Sequence, residues 1–515
     1  MDVTAGLAWA FQEAGCATNV YMHLGLLGTR SVMDSWLKGE LIPRDRIDED
    51  QGKYDVLIMV TFPEGPGYQD RQRRLLLSRP PHQRILLGVH NPGWLLTATW
   101  PGAPQLLVQL VFPRSPAGGM RRGGRQQEPL APPPVQLLAL APIGSAYTKA
   151  LLQGWLAATQ PRDAQLAGLT RQLEVPWIAP LVPWARCDAA PGSSEASGAA
   201  SAAEQGYGGP LRHLCIQGTI DQKRRDYAGA FAAASHPAVL AQLRQRNESL
   251  LLVGTKKNTS MPVPPELEPH VRVLSSLAYA EYYATLSSCR AILTAFGSDQ
   301  YLVNKTSSTL AAALQVGAPM LTEGRVLAAY EYVPRAAAFL YRPNDGTARP
   351  DPAALGKAEG KRLAQWMRQQ AVEAKQRNGS MMRRLGEVRG PAAVMQQQSE
   401  EEGEEAAHWL AWEHASEEQR PQPRRQQQEQ GQQEPASPPG QTATRHRAGE
   451  AGPPDPPPPG SYAAALLHAF DESAARAAHT AAWRAKLAAM QLNAETARRI
   501  LKDAAVLAAA VQAGR

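Results

Sequence analysis

Short apolar runs alternate with amphipathic stretches from the start of the chain to about Leu340, where the pattern stops. Ala5 to Ala14 has apolar residues at Leu7, Ala8, Ala10 and Phe11, a spacing that predicts a helix closed by Gly15. Thr18 to Met22 reads as a strand and Arg30 to Leu37 as a helix closed by Gly39. Tyr54 to Val60 and Ile85 to Val89 read as buried strands, and regular structure resumes at Val135 to Leu140 after an insertion. A second series places strands at Leu211 to Gln217, Leu250 to Val253, Val271 to Leu274, Ala291 to Ala295 and Pro319 to Leu321. Between them lie helices at Arg225 to Ala234, Tyr279 to Ser287 and Ser307 to Gln315. Continuously apolar strands alternating with helices predict parallel sheets in a doubly wound α/β fold.

The same pattern divides the chain of 515 residues. Residues 1–188 read as a first α/β domain, interrupted at 115–134 by a Gly/Arg/Gln/Pro insertion expected to be disordered. A Gly/Ala/Ser linker at 189–209 leads to a second α/β domain at 210–390, with helices expected from Pro352 to Arg377. Residues 391–460 form a Gln/Glu/Pro tract with too little apolar surface to order itself, and 461–515 an Ala-rich helical tail. The first domain begins in a helix, where a Rossmann-like domain opens with a strand. The pattern predicts a missing first strand, as a truncated gene model would leave.

Composition adds little to this outline. Lys and Arg number 54 against 47 Asp and Glu, a net charge of +7 that is small for the length and does not point to nucleic acid. It suits an anionic ligand such as a nucleotide diphosphate, and equally a general bias towards Arg. Cys16, Cys187, Cys215 and Cys289 are far apart, which suggests neither a zinc site nor a disulfide framework, and reduced thiols are expected. No apolar run is long enough to cross a membrane as a helix, and no secretory signal opens the chain. The cytoplasm is the default address, although a lost amino-terminal segment would carry any targeting signal.

Ligands of an open parallel sheet bind beyond the carboxyl ends of its strands. Gly218 follows a strand there, and Lys223, Arg224 and Arg225 stand where the next helix starts. Cations beside free backbone N–H groups favour a diphosphate, while a solvated face or pairing with Asp226 explains the same residues. Gly254 with Lys256 repeats the arrangement, or forms a surface loop with stray charges. Ser307, Ser308 and Thr309 follow Lys305 at a helix start, where plain capping or phosphate binding accounts for them. His90 ends a first-domain strand, either as a structural histidine or at the ligand edge as a catalytic one. No P-loop, GxSxG, HExxH or GxGxxG signature occurs, so P-loop NTPase, serine hydrolase and zincin chemistry gain no support.

Cys215-Ile216-Gln217-Gly218 with Arg224 to Tyr227, Leu252-Val253-Gly254 and Tyr279 to Tyr283 resemble the second domain of GT-B glycosyltransferase-like proteins, family 1/4-like and of algal and fungal type. So do Tyr301 to Thr309, Gly317-Ala318-Pro319 and Ala329 to Tyr332, and, in the first domain, Tyr54 to Thr61, Val89-His90-Asn91 and Trp177 to Pro183. The resemblance spans about Gly6 to Tyr332 and implies two Rossmann-like domains facing across a cleft. It implies a transferase that moves a sugar, of the hexosyl type, from a nucleotide diphosphate-sugar to an unknown acceptor, with the nucleotide sugar as co-substrate and no metal or other cofactor. Gly218, Lys223, Arg224, Arg225, Gly254, Lys256, Lys305, Ser307, Ser308 and Thr309 would hold the donor, and His90 would lie by the donor sugar. The chain departs from the family at its Glu-x7-Glu pair. Glu323 and Glu331 have that spacing but follow the Pro319 strand, and Gln300 and Ser308 stand where the pair would fall. A catalytically silent GT-B-like scaffold and a nucleotide-sugar epimerase are the alternatives.

Overall fold

The computed structural model describes most of residues 2–22, 33–60, 66–80, 83–90, 135–159, 173–182, 211–256, 261–342, 351–369 and 455–513, together with Val111. The expected insertion at 115–134, the linker at 189–209 and the Gln/Glu/Pro tract up to residue 454 lie outside the described residues. Residues 1–364 and 454–515 form one compact unit and residues 365–453 another. The first unit is built in two halves, closed by the end of the chain.

Its first half contains α1 (Asp2–Glu13), β1 (Val20–Met22), β2 (Leu41–Pro43), α2 (Ile47–Asp50), β3 (Val56–Met59), α3 (Pro66–Leu77), β4 (Arg84–Val89), β5 (Val135–Ala139) and α4 (Pro142–Thr159). All pairings are parallel, but they fall into two pieces, β1-β2 and β3-β4-β5. Strand β4 is buried from end to end, as the apolar run Ile85 to Val89 requires of a central parallel strand, and Arg84 at its start is buried through bonds to Ile500 O and Gln136 Oε1. α1 ends at Gly15, whose φ of +97° makes the left-handed turn that closes the helix.

The second half contains β6 (Arg212–Gln217), α5 (Tyr227–Ala234), α6 (Pro237–Arg246), β7 (Leu250–Gly254), β8 (Val271–Ser275), α7 (Tyr279–Ser287), β9 (Cys289–Leu293), α8 (Ser308–Gln315), β10 (Met320–Glu323), α9 (Gly324–Ala329) and β11 (Ala338–Tyr341). Its strands form one parallel sheet in the order β8-β7-β6-β9-β10-β11. Counted along the chain this is the Rossmann order 3-2-1-4-5-6, whose switch point lies between β6 and β9. The doubly wound α/β architecture is therefore present.

Cys215 of β6 and Cys289 of β9 are joined by a disulfide, with Cα atoms 6.0 Å apart, which corrects the expectation of reduced thiols. They are 74 residues apart in sequence, so spacing hides what the sheet order brings side by side. Cys16 is free.

The chain ends in α10 (Tyr462–Ala469) and α11 (Glu472–Ala513). The helical tail is no free-standing helix. Ala475, Ala478, Ala482, Ala485 and Ala489 are buried along it, at the three-and-four spacing of one helix face, and small side chains let that face lie close. One buried cluster combines Ala141, Ile143 and Leu181 of the first half with Leu310, Leu314 and Met320 of the second and with Ala482 and Ala489 of α11. Polar bonds fix the helix lengthwise. His479 Nε2 lies 3.0 Å from Cys289 O, Lys486 Nζ donates to Gln315 O at 2.8 Å, and Asn493 bonds both the N–H and C=O of Ala179.

Candidate functional site

The turn from β6 to α5 is built on contacts that leave little freedom. Gly218 has φ of +119°, and a Cβ there would lie 2.4 Å from Arg225 Nη2. A Cβ on Gly254, at the end of β7, would lie 1.9 Å from Gly218 O, so the two strand ends touch backbone to backbone. Asp221 Oδ1 accepts from Lys223 N at 2.9 Å and Asp226 Oδ1 from Gly229 N at 2.9 Å, which fold the loop and cap α5. Asp226 N donates to Ala295 O at 2.9 Å and ties the loop to the end of β9.

This loop buries Arg225 at the switch point, 5% exposed. Its Nη2 donates to Gln217 O at 2.9 Å and to Thr309 Oγ1 at 2.7 Å, and its Nε donates to Gln217 O at 3.2 Å. The guanidinium carbon lies 5.9 Å from the Phe296 ring centre and 5.7 Å from that of Tyr301. Among the described residues no carboxylate forms an ion pair with it. Burial pulls its pKa down. Beside it, Gln217 Nε2 bonds Tyr282 OH, while Gln217 Oε1 is buried with no partner among the described residues.

At the start of α8, Ser307 is the cap and its Oγ accepts from Thr309 N at 3.2 Å. Ser307 N donates to Tyr330 OH at 3.0 Å, and Tyr330 OH donates to Tyr301 O at 2.9 Å. Ser307 and Thr309 are thus buried and engaged by the protein, whereas Ser308 faces outward. Lys305 Nζ lies 5.6 Å from the Tyr301 ring centre. His90, at the carboxyl end of β4, belongs to the other half, yet the Lys305 charge reaches it. Burial first, and that charge second, lower the His90 pKa and favour the neutral imidazole. Thr306 comes close to the first turn of α4, where a Cβ on Gly144 would lie 3.9 Å from Thr306 Oγ1.

Of the residues expected at the site, Gly218, Arg225 and Thr309 come together at the switch point, with Gly254 touching Gly218 and Ser307 close by at the cap of α8. His90 stands in the first half, where the Lys305 charge contributes to lowering its pKa. Lys223, Arg224 and Lys256 are exposed on the rim. Two cavities open at this edge, of about 1130 and 250 Å³, and both are lined by Phe296, Gly297, Glu323 and Arg325. Arg225 and Asp226 line the larger one. Glu331, the second member of the pair noted in the sequence, is exposed and lines neither. Gln217 and Tyr301 stand in the motif runs without a role assigned to them, and Phe296-Gly297 stands outside those runs. A Gly just after the β9 strand, as Gly218 follows β6, was the available signal. Among the described residues no group of three metal-ligating side chains occurs.

No protein-family model and no curated protein sequence matches the chain. Several solved structures resemble it distantly. An α-glucosyltransferase in complex with UDP-glucose and DNA containing an abasic site shares 10% identity, with a TM-score of 0.33, over 65% of this chain and 82% of its own. Sucrose-phosphate synthase from Thermosynechococcus elongatus shares 13%, with a TM-score of 0.31, over 74% and 92%. The glycosyltransferase SnogD from Streptomyces nogalater shares 14%, with a TM-score of 0.27, over 70% and 90%. Similarity this distant has no bearing on substrate.

Proposed function

We propose that the protein is a GT-B-type glycosyltransferase, family 1/4-like, that takes a nucleotide diphosphate-sugar into the edge of the second half and passes its sugar to an acceptor. One observation carries this: a guanidinium buried at the switch point of a Rossmann-ordered sheet with no carboxylate beside it among the described residues. A buried cation costs desolvation, which an anionic ligand offsets. A diphosphate suits the position, because Lys305 and the rim cations Lys223, Arg224 and Lys256 stand around the same strand ends. When the bond from the sugar's anomeric carbon to the diphosphate breaks, negative charge grows on the leaving oxygen. These cations stabilise it, so the reaction needs no bound metal. His90, kept neutral, can accept a hydrogen bond or a proton at the donor sugar.

A silent binding module is the second reading. Ser307 and Thr309 favour it, since both hydroxyls are engaged within the protein. Titrating the full chain with UDP, GDP and their sugar conjugates, and following hydrolysis and transfer to mixed acceptors, separates the readings. Binding with transfer supports the proposal. Binding without turnover supports the silent module, and conversion of the donor sugar with no acceptor indicates an epimerase. No binding to any nucleotide overturns the proposal.

A further inference from the structure

Gln217 ends β6, one residue before Gly218, and serves two layers of the fold at once. Its carbonyl accepts from Arg225 Nη2 at 2.9 Å and from Nε at 3.2 Å. Its side chain points elsewhere. Along β6 the side chains alternate, with Cys215 in the cluster of Tyr283, Leu286 and Leu310, and Ile216 in that of Tyr227 and Phe231. Gln217 follows Cys215 to the side of α7 and α8, where its Nε2 bonds Tyr282 OH. Tyr282 is half-buried and packs edge-on against the buried Tyr283, ring centres 5.0 Å apart, which holds its hydroxyl in place.

The other end of the amide is idle. Gln217 is 6% exposed, and its Oε1 is buried with no hydrogen-bond partner among the described residues. An acceptor left unpaired at that depth is costly, and an apolar side chain of the same length would fill the space without the cost. The residue is accounted for where a second molecule brings the missing donor.

The neighbours set what that donor is. An ionised diphosphate at Arg225 has only acceptors and cannot satisfy Oε1. The nucleoside stands next to the diphosphate in a nucleotide. In a Rossmann-ordered sheet the phosphates lie at the turn after the first strand, and a carboxylate at the end of the second binds a ribose hydroxyl. Here the second strand, β7, ends in Gly254, Thr255 and Lys256, with no carboxylate. The idle acceptor stands on the strand beside it, since β6 pairs with β7. We infer that Gln217 Oε1 accepts a hydrogen bond from the nucleoside of the ligand, and so selects a nucleotide over a bare diphosphate. Tyr282 is a positioning residue: with Nε2 held on its hydroxyl, the oxygen is the end that meets the ligand. Ribose hydroxyls and a ring N–H of the base offer the same chemistry. The inference rests on reading the site as one for a nucleotide diphosphate-sugar, and adds to that reading the residue that recognises the nucleoside.

The test titrates the full chain calorimetrically with inorganic pyrophosphate, and with UDP and GDP beside their 2′-deoxy, 3′-deoxy and ring-N-methyl forms. In the unaltered protein at least one of these three changes should weaken binding about tenfold or more, because Oε1 is then left unpaired. Gln217→Met, of similar length and without the acceptor, should bind that analogue and the intact nucleotide alike, with pyrophosphate affinity unchanged. Gln217→Glu, which keeps an acceptor in the same place, should retain the discrimination. The analogue that loses affinity tells ribose from base. Equal binding of all the analogues by the unaltered protein overturns the inference and leaves the nucleotide reading standing. So does discrimination that survives in Gln217→Met or is lost in Gln217→Glu, and the second result decides alone if Gln217→Met does not fold. Failure of both UDP and GDP to bind overturns the two readings together.

Discussion

A guanidinium at 5% exposure is costly to desolvate, and Arg225 recovers that cost only in part through carbonyl, hydroxyl and aromatic contacts. Arg225→Lys keeps the charge but loses the fork that grips Gln217 O and Thr309 together, and a lysine cannot hold two phosphate oxygens in the same way. Calorimetric titration with UDP should show affinity weakened at least about tenfold in Arg225→Lys, with circular dichroism confirming the fold. His90 is the second residue whose setting matters. Its pKa is lowered, so above the ordinary histidine range folded and unfolded states carry the same charge there. As pH falls below that range the unfolded chain takes up a proton that the folded one resists, and stability declines. Lys305→Gln removes one of the causes. A histidine NMR titration should then show the His90 midpoint moved up, and thermal melts should show a smaller loss in acid. At this scale Arg225 was legible in sequence as one of three adjacent cations. Which of the three turns inward was not, because that depends on where Gly218 leaves room for it.

Elements position these groups through close backbone approach. The loop at 218–226 is held from below by the end of β7 and from the side by the end of β9, and Gly254 is its tightest contact. Gly254→Ala would press a methyl group into Gly218 O, which no rotamer can relieve. Urea denaturation should show a loss of about 1–3 kcal/mol, whereas Gly324→Ala, with nothing within 4 Å, should stay within about 0.5 kcal/mol of the parent. Most elements of the second half could be read from the sequence: Tyr279–Ser287 is the helix its periodicity predicts, and Ser307 is the cap of α8. The engagement of Ser307 and Thr309 could not. It depends on Tyr330 and Arg225 arriving from elsewhere in the chain. The disulfide escaped notice for the same reason, since β6 and β9 become neighbours only through the sheet order.

At the scale of the whole unit, α11 holds the two halves to one another. Gln315 bonds both backbone groups of Val182, and Asn493 does the same for Ala179. Asn493→Leu leaves the buried N–H of Ala179 without its partner, at a cost of about 1–3 kcal/mol, while the C=O keeps its bond from Leu181 N. A thermal melt should fall accordingly, and a double-mutant cycle with Gln315→Leu should show whether the two clamps act together. The alternation of strands and helices announced the α/β architecture. The role of the Ala-rich end was hidden, because its helical propensity is equally that of a solvated tail, and only the burial of Ala475 to Ala497 separates the two. Ala497 and Ile500 of α11 sit in one cluster with Leu7, Phe11 and Leu86. During translation the first half must therefore wait for the codons of α11 before its core can close. At about 5–20 residues per second that delay is tens of seconds. Throughout it, Leu7, Phe11 and Leu86 lack the apolar partners that α11 supplies.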